Sequence, residues 1–359
     1  MTKKIVFAAG GTGGHLFPAA ALARKIEKEH PDIDISFMAK GLGENAYFDR
    51  HFPFYDIPSG TISSHPIRSL RAIVQLASGT RAAMKHLGHI KPDLVIGFGS
   101  YHAAPTLAAA AWLRIPYILH EANAVPGRVV RLFSRWALWT GTFFPNARGK
   151  LQGPVRHVSI PLREEFNHLP SRQEALDHYH LDSDKITCLV FGGSQGAEKL
   201  NELILQASRD LPRTIQFIHF TGKKSPPLGA YYDEMNVRAY TAPFEPRMEY
   251  AWAASDAVLS RAGASTVAEA LLCRVPPFFI PFPFGQDNHQ EKNSEYVVHT
   301  VQGGQMLRQS ECTPSILRQH LQNFLAPDNL ALMRKNIDTF YQQSKPKDFY
   351  EEVIATIGS

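Results

Sequence analysis

Cysteine is scarce in this 359-residue chain: Cys188, Cys273 and Cys312 are widely spaced and odd in number. No C-x-x-C pair occurs, which argues against a disulfide framework and a cysteine-built zinc cage and suits a reducing compartment. Long apolar runs are also lacking. The stretch around Ala103 to Leu113 contains Pro105 and is too short to cross a bilayer. The run that follows Lys3 and Lys4 meets glycine after Ala9, too soon for the apolar core of a signal peptide, so Ile5–Ala9 reads as a first strand. The expectation is a cytoplasmic, non-integral protein. There is no low-complexity tract, and 44% hydrophobic with 20% charged residues is a globular composition. A chain of this length suits two domains of roughly 150–180 residues each.

Acid is missing from two long segments. Ile57 to Pro92 has none and carries Arg68, Arg71, Arg81, Lys85 and Lys91; Ala122 to Arg163 has none and carries Arg128, Arg131, Arg135, Arg148, Lys150, Arg156 and Arg163. Through Arg163 there are 20 Lys and Arg against 9 Asp and Glu, and thereafter 18 against 24. The first half therefore expects an anionic partner, the plainer alternative being a solvated basic face. Within Ile67–Lys85 the apolar Ile67, Leu70, Ile73, Val74 and Leu76 alternate with bases, the composition of an interfacial basic amphipathic helix, and Trp112 adds an aromatic. No recognised nucleic-acid motif accompanies the charge.

Short apolar runs alternate with helical patterns. Ile5–Ala9, Ile35–Met38, Leu94–Gly97 and Tyr117–Leu119 read as strands, with a helix from Phe17 to Lys28. After a Pro- and Gly-containing stretch, Phe143 to Pro161, the pattern restarts with Thr187–Phe191 and a helix over 197–208, then Ile215–Phe220, Val237–Tyr240, Ala257–Leu259 and Pro277–Ile280. Uninterrupted apolar strands between helices predict parallel sheets buried on both faces. The fold expected is α/β, with two Rossmann-like doubly wound domains facing a cleft and ligands at the carboxyl ends of the strands.

Each half opens with strand, glycine-rich turn and helix. Gly10-Gly-Thr-Gly-Gly-His15 lets backbone amides approach a phosphate at a helix N-terminus. It is neither a Walker A loop nor G-x-G-x-x-G, and no acid follows the second strand at Met38-Ala-Lys-Gly41, which removes the ribose anchor of an NAD site. His15 reads as a general base, a phosphate donor or an ordinary polar residue at a helix start. Gly192-Gly-Ser-Gln-Gly196 repeats the device, with Ser194 offering a hydroxyl and an amide. The strongest signal is Ser260-Arg-Ala-Gly-Ala-Ser-Thr-Val-Ala-Glu269: small residues after a strand, a helix N-terminus, then Glu269 one turn in, a carboxylate able to accept from a ribose diol. The loop Ile280–Gln290 delivers Gln286, Asp287, Asn288, His289 and Gln290 after prolines, a cluster suited to sugar hydroxyls, with Asn293 beyond. Arg163 follows Pro161 between the halves and suits a diphosphate. His120-Glu-Ala-Asn123 and Gly97-Phe-Gly-Ser-Tyr101 lie at further strand ends.

These motifs, from Gly10–His15 through Gly97–Tyr101, His120–Asn123, Ile160–Arg163, Gly192–Ala197 and Arg261–Glu269 to Asp287–Asn293, together resemble the MurG family of peptidoglycan glycosyltransferases, glycosyltransferase family 28, over nearly the whole chain. The resemblance implies the GT-B fold. It also implies transfer of N-acetylglucosamine, with inversion, from UDP-N-acetylglucosamine to undecaprenyl-diphosphate-linked N-acetylmuramyl-pentapeptide (lipid I), giving lipid II. On that footing residues 1–160 form the acceptor and membrane-associating domain, 161–340 the UDP-sugar domain, and 341–359 a terminal helix packing back across them. Thr12, Gly13 and Gly14 would lie near the donor sugar and acceptor diphosphate, and Asn123 would contact the N-acetylglucosamine. Arg163 and Ser194 would hold groups near the donor diphosphate. Ala264, Ser265, Thr266, Val267, Ala268 and Glu269 would bind the nucleotide, with Glu269 on the ribose, and Gln290 would read the sugar. His15 is the candidate base, and Tyr101, His120, Glu121, Glu245 and Asn293 are secondary site candidates. No metal site and no required cofactor are expected, with room for a stimulatory divalent ion. The expected partners are UDP-N-acetylglucosamine, lipid I, an anionic surface of the inner membrane on its cytoplasmic side and other cell-wall synthesis proteins, but no nucleic acid. Three positions depart from the family: Ala122 where glutamine is frequent, Ile160-Pro-Leu-Arg163 for Asn-Pro-Val-Arg, and Glu245 where an apolar residue would flank uracil. The rival readings are a UDP-N-acetylglucosamine 2-epimerase and a glycosyltransferase with a soluble acceptor.

Overall fold

The computed structural model describes residues 2–61, 65–192, 197–223, 225–285 and 288–358, with side chains for all of these except 66–68. The chain divides into two compact units, residues 1–164 with 346–359 and residues 165–345. Ser194, Gln286 and Asp287 lie outside the described residues, as do the side chains of Ile67 and Arg68.

The first unit is built on β1 (Lys4–Ala8), β2 (Asp34–Ala39), β3 (Phe54–Asp56), β4 (Leu94–Gly97), β5 (Tyr117–Glu121), β6 (Thr140–Thr142) and β7 (Val155–His157). They form one seven-stranded sheet in the order β3-β2-β1-β4-β5-β6-β7, parallel at every pairing. The helices α1 (Gly13–Glu29), α2 (Pro66–Ile90), α3 (Ala104–Trp112) and α4 (Arg128–Phe133) fall between strands. The alternation of side chains along β1 explains why its sequence is apolar throughout. Ile5 and Phe7 enter one buried cluster with Leu16, Leu22 and Ile26 of α1, while Val6 and Ala8 enter a second with Leu87 of α2 and Leu107 of α3.

The second unit repeats the plan with β8 (Ile186–Phe191), β9 (Ile215–Phe220), β10 (Ala239–Ala242), β11 (Ala257–Ser260), β12 (Pro277–Phe279) and β13 (Gln305–Met306), in the order β10-β9-β8-β11-β12-β13 and again all parallel. Its helices are α5 (Arg172–His178), α6 (Glu198–Ser208), α7 (Gly229–Glu234), α8 (Met248–Ala254), α9 (Ala264–Leu272), α10 (His289–Glu295), α11 (Pro314–Phe324) and α12 (Pro327–Gln343). A π-helical turn, Tyr296–Val301, extends α10. In both sheets the strand order reverses beside the first strand, between β1 and β4 and between β8 and β11, which is where such folds receive ligands.

Several boundaries differ from the sequence expectation. The terminal helix, α13, spans Phe349–Gly358, starting later than the expected 341, and Phe349, Tyr350 and Val353 join the first unit's cluster of Phe7 and Phe37. The stretch Phe143 to Pro161 contains strand β7, and β3, β6 and β13 were likewise not foreseen. These are two or three residues long, all near or at sheet margins, and too short to display a period. The strand expected at Val237–Tyr240 is β10, Ala239–Ala242. Asn236, at φ 53°, closes the preceding turn and delays its start.

Candidate active site

In the first unit the turn after β1 is shaped by close packing. A side chain at Gly10 would place its Cβ 2.8 Å from Ala39 Cβ and 3.0 Å from His102 Cβ, and Gly11 adopts φ +90°. His102, which sequence reading did not single out, fills the space behind the turn; burial and the nearby Lys40 push its pKa down. Thr12 is the exposed N-cap of α1 and makes no side-chain cap, so the first-turn amides of Gly13 and Gly14 have no intrahelical acceptor. That is an anion-receptive helix end of 17 residues at the switch point.

His15 sits in the first turn of α1, half-buried, and its Nδ1 lies 2.7 Å from the carbonyl oxygen of Phe98, just past β4. A carbonyl only accepts, so Nδ1 carries the hydrogen and Nε2 of the neutral ring carries the lone pair. This is the tautomer a general base requires, fixed by a backbone group 83 residues away. Tyr101 begins the turn after β4, and its carbonyl accepts from Ser59 Oγ at 2.6 Å.

At the end of β5 the motif His120–Asn123 is organised by its buried members. The carboxylate of Glu121 accepts from Asn123 N at 2.9 Å, Asn123 Nδ2 at 3.3 Å and Gly127 N at 2.8 Å. Burial outweighs these bonds and pushes its pKa up to about 7. His120 lies 3.2 Å from the Ser159 carbonyl and against the ring of Phe349, and burial pushes its pKa down to about 4. Both are nearly solvent-free, so they stand behind the surface and hold the loop, while the half-buried Asn123 is the member brought to it. Arg163 is exposed near the end of this unit's main segment.

In the second unit α9 starts directly after β11. Gly263 is its extended N-cap with no side-chain cap, so the amides of Ala264, Ser265 and Thr266 form an anion-receptive end. Val267 and Ala268 face inward. Glu269 is half-buried, and its Oε2 accepts from the indole Nε1 of Trp252 at 3.0 Å, which fixes the carboxylate one turn from the helix start. Arg261, not foreseen as a site residue, is buried and locks neighbouring loops together: Nη1 donates to the carbonyls of Ile280 (2.9 Å) and Pro281 (3.2 Å), Nη2 to Gln309 Oε1 (2.6 Å). Gln290 on α10 is half-buried and accepts from Phe282 N at 3.0 Å. Asn293 has no exposed surface and donates to the Ala262 carbonyl at 3.1 Å, tying α10 to the loop after β11 rather than reaching outward.

Glu245 is likewise turned inward, accepting from the Tyr179 hydroxyl at 3.2 Å and Arg247 N at 2.8 Å. Its exposed neighbour is Phe244, so the apolar surface at this turn comes one residue earlier than expected. Among the described residues no group of three His, Cys, Asp or Glu side chains is placed to hold a metal ion.

Two parallel nucleotide-type sheets in one chain, with an anion-receptive helix end and a fixed carboxylate at the switch point of the second, are the GT-B architecture of nucleotide-sugar enzymes. The glycosyltransferase family 28 N-terminal domain matches residues 5–141 and the family 28 C-terminal domain residues 187–353. A UDP-N-acetylglucosamine–N-acetylmuramyl-(pentapeptide) pyrophosphoryl-undecaprenol N-acetylglucosamine transferase of Protochlamydia amoebophila is 38% identical over 346 residues, covering 95% of this chain and 92% of that protein. A transferase of the same description from Chlamydia felis is 34% identical, covering 97% of each. The crystal structure of Acinetobacter baumannii MurG matches over 99% of both chains with a TM-score of 0.79 at 27% identity. A UDP-glucose:anthocyanidin 3-O-glucosyltransferase, at 15% identity and a TM-score of 0.71, shares the fold. The chain belongs to glycosyltransferase family 28.

Proposed function

We propose that the protein transfers N-acetylglucosamine from UDP-N-acetylglucosamine to the N-acetylmuramyl-pentapeptide of a diphosphate-linked undecaprenol, lipid I. The full-length likeness to transferases of that description carries the reading. The second unit takes the donor: the α9 amides meet the diphosphate, Glu269 accepts from the ribose hydroxyls, and Gln290 reads the sugar, while Ser194 and, from the first unit, Arg163 hold groups near the diphosphate. The first unit takes the acceptor at Thr12, Gly13 and Gly14, with Asn123 toward the transferred sugar. His15 Nε2 removes the acceptor hydroxyl proton as that oxygen attacks the anomeric carbon in line. The bond to the diphosphate oxygen breaks, UDP departs with the electron pair, and the anomeric configuration inverts. The developing charge on UDP is met by the α9 N-terminus. The reaction needs no organic cofactor, and a divalent ion carried by the diphosphate is compatible with it.

The lipid acceptor places the enzyme at a membrane surface. No helix among the described residues is long and apolar enough to span a bilayer. Instead α2, which contains no acidic residue, exposes Leu70, Ile73 and Val74 at helical spacing beside the exposed Arg71, and α3 ends at an exposed Trp112. This face would dock peripherally on anionic lipid at the cytoplasmic side of the inner membrane, each base near the surface contributing about 1 kcal/mol.

The test is incorporation of radiolabel from UDP-N-acetylglucosamine into a short-chain lipid I analogue, with Glu269→Ala as control. Label in the lipid that disappears in the variant is the expected result. Donor binding without label, or release of free sugar and UDP with no acceptor present, would move the protein to the epimerase reading.

A further inference from the structure

Among the described residues only two buried side-chain oxygens have no hydrogen-bond partner, Thr140 Oγ1 and Glu249 Oε2. The second is the costlier, because a carboxylate removed from water without donors forfeits more than a hydroxyl. Glu249 is 7% exposed. It lies in the first turn of α8, the helix that leaves the carboxyl end of β10. Trp252 follows three residues later on the same helical face, and its indole is the group that fixes Glu269. Long side chains in helices lean toward the helix N-terminus, here toward the ligand-receiving edge of the sheet. The neighbouring groups do not supply a donor: Glu245 is itself an acceptor taken up by Tyr179 and the Arg247 amide, and the Arg247 guanidinium lies against His178 and the ring of Tyr250.

We infer that Glu249 is a second nucleoside-recognising carboxylate of this chain, its buried oxygen accepting a hydrogen bond from the bound donor. This rests on the UDP-sugar reading above. A uridine nucleotide brings two kinds of donor to such an acceptor, the ribose hydroxyls and the ring N–H of the base. The consequence is an oxygen that is unsatisfied in the empty protein and satisfied in the complex, so it favours the loaded state.

Calorimetric titration of UDP into wild type, Glu249→Gln and Glu249→Ala tests this, with Glu269→Ala alongside. Both Glu249 variants are expected to weaken UDP about tenfold, the worth of a hydrogen bond to a charged group. The isosteric Glu249→Gln is expected to melt no lower than wild type when empty, separating lost recognition from lost folding. Parallel titrations with 2′-deoxy-UDP and 3-methyl-UDP identify the partner: the analogue lacking the contacted donor binds wild type weakly and loses nothing further in Glu249→Ala. Equal UDP affinity in wild type and both Glu249 variants, with Glu269→Ala weakened, overturns the inference and leaves the donor reading standing. Failure of wild type to bind UDP at all overturns both.

Discussion

Replacing Glu121 with glutamine separates the electrostatic cost of that residue from its positioning role. The carboxylate holds the loop 121–127 through the amides of Asn123 and Gly127 and the Asn123 side chain. Glutamine keeps one acceptor oxygen but turns an NH2 group toward a backbone N–H, leaving a buried donor unpaired at about 1–3 kcal/mol. Against this stands the burial of charge. Raising the carboxyl from 4.5 to about 7 corresponds to roughly 3 kcal/mol disfavouring the ionised form in the fold. Because the folded pKa is the higher, the associated stability is complete below the unfolded value and is lost as pH rises through about 7. Glutamine mimics the neutral acid at every pH, so the variant should gain on wild type by about 3 kcal/mol between pH 4.5 and pH 8, on the order of 5–10 °C in the first unit's melting transition. His120 opposes this in both proteins, with stability present above pH 6.5 and lost toward pH 4, and cancels in the difference. Activity should move the other way: with Asn123 released, kcat/KM falls about 10- to 100-fold at pH 8, where the variant is relatively most stable. Scanning calorimetry at both pH values with transfer assays at pH 8 measures this. Parallel melting profiles, or full activity in the variant, would refute the account.

Three further outcomes are expected. His15→Ala should lose about 10²–10⁴-fold in kcat with donor affinity unchanged, since the group is placed to move a proton; a loss confined to KM would argue against the base role. Trp252→Phe, which removes the donor that fixes Glu269 together with part of a buried ring, should weaken UDP several-fold by titration and lower the melting temperature through the space it leaves, and unchanged affinity would show that Glu269 needs no such anchor. The triple change Leu70→Ser, Ile73→Ser and Val74→Ser should abolish partitioning to anionic vesicles without lowering turnover of a water-soluble acceptor analogue, and wild-type binding should fall with salt; salt-independent binding would remove the electrostatic part of the docking argument.

The doubly wound pattern was legible because its central strands are buried on both faces and bounded by glycine. The sequence limits drawn for Leu94–Gly97 and Ile215–Phe220 are those of β4 and β9. Marginal strands such as β13, two residues long, carry no such pattern and exist only because a neighbour offers unpaired backbone groups. The framework of the candidate site stood out where glycine, helix start and strand end coincide, as at Gly10–His15 and Arg261–Glu269. Local spacing cannot tell a side chain that faces a ligand from one that faces its own backbone. His120, Glu121, Glu245 and Asn293 are polar residues at strand ends or in the loops and helices beyond them, the pattern of a binding residue, yet each is turned inward.

What distinguishes the two kinds is the partner, and the partners are remote. His15 is set by a carbonyl 83 residues away, Arg261 by Gln309 at a separation of 48, and Asn293 by Ala262 at 31. Such ties join loops that are neighbours only because parallel strands bring their carboxyl ends together, so they become visible with the sheet and not before it. The same logic accounts for Glu245, where the resemblance implies an apolar residue. An acid at an apolar position would weaken a nucleoside surface if it stayed exposed, but here the Tyr179 hydroxyl and the Arg247 amide take both carboxylate oxygens inward. The exposed ring of Phe244 then supplies the apolar surface. Glu245→Ala should therefore harm stability, by freeing the buried Tyr179 hydroxyl at about 1–3 kcal/mol, more than it harms UDP affinity. A melting temperature that holds while UDP binding collapses would show that the acid itself faces the nucleotide.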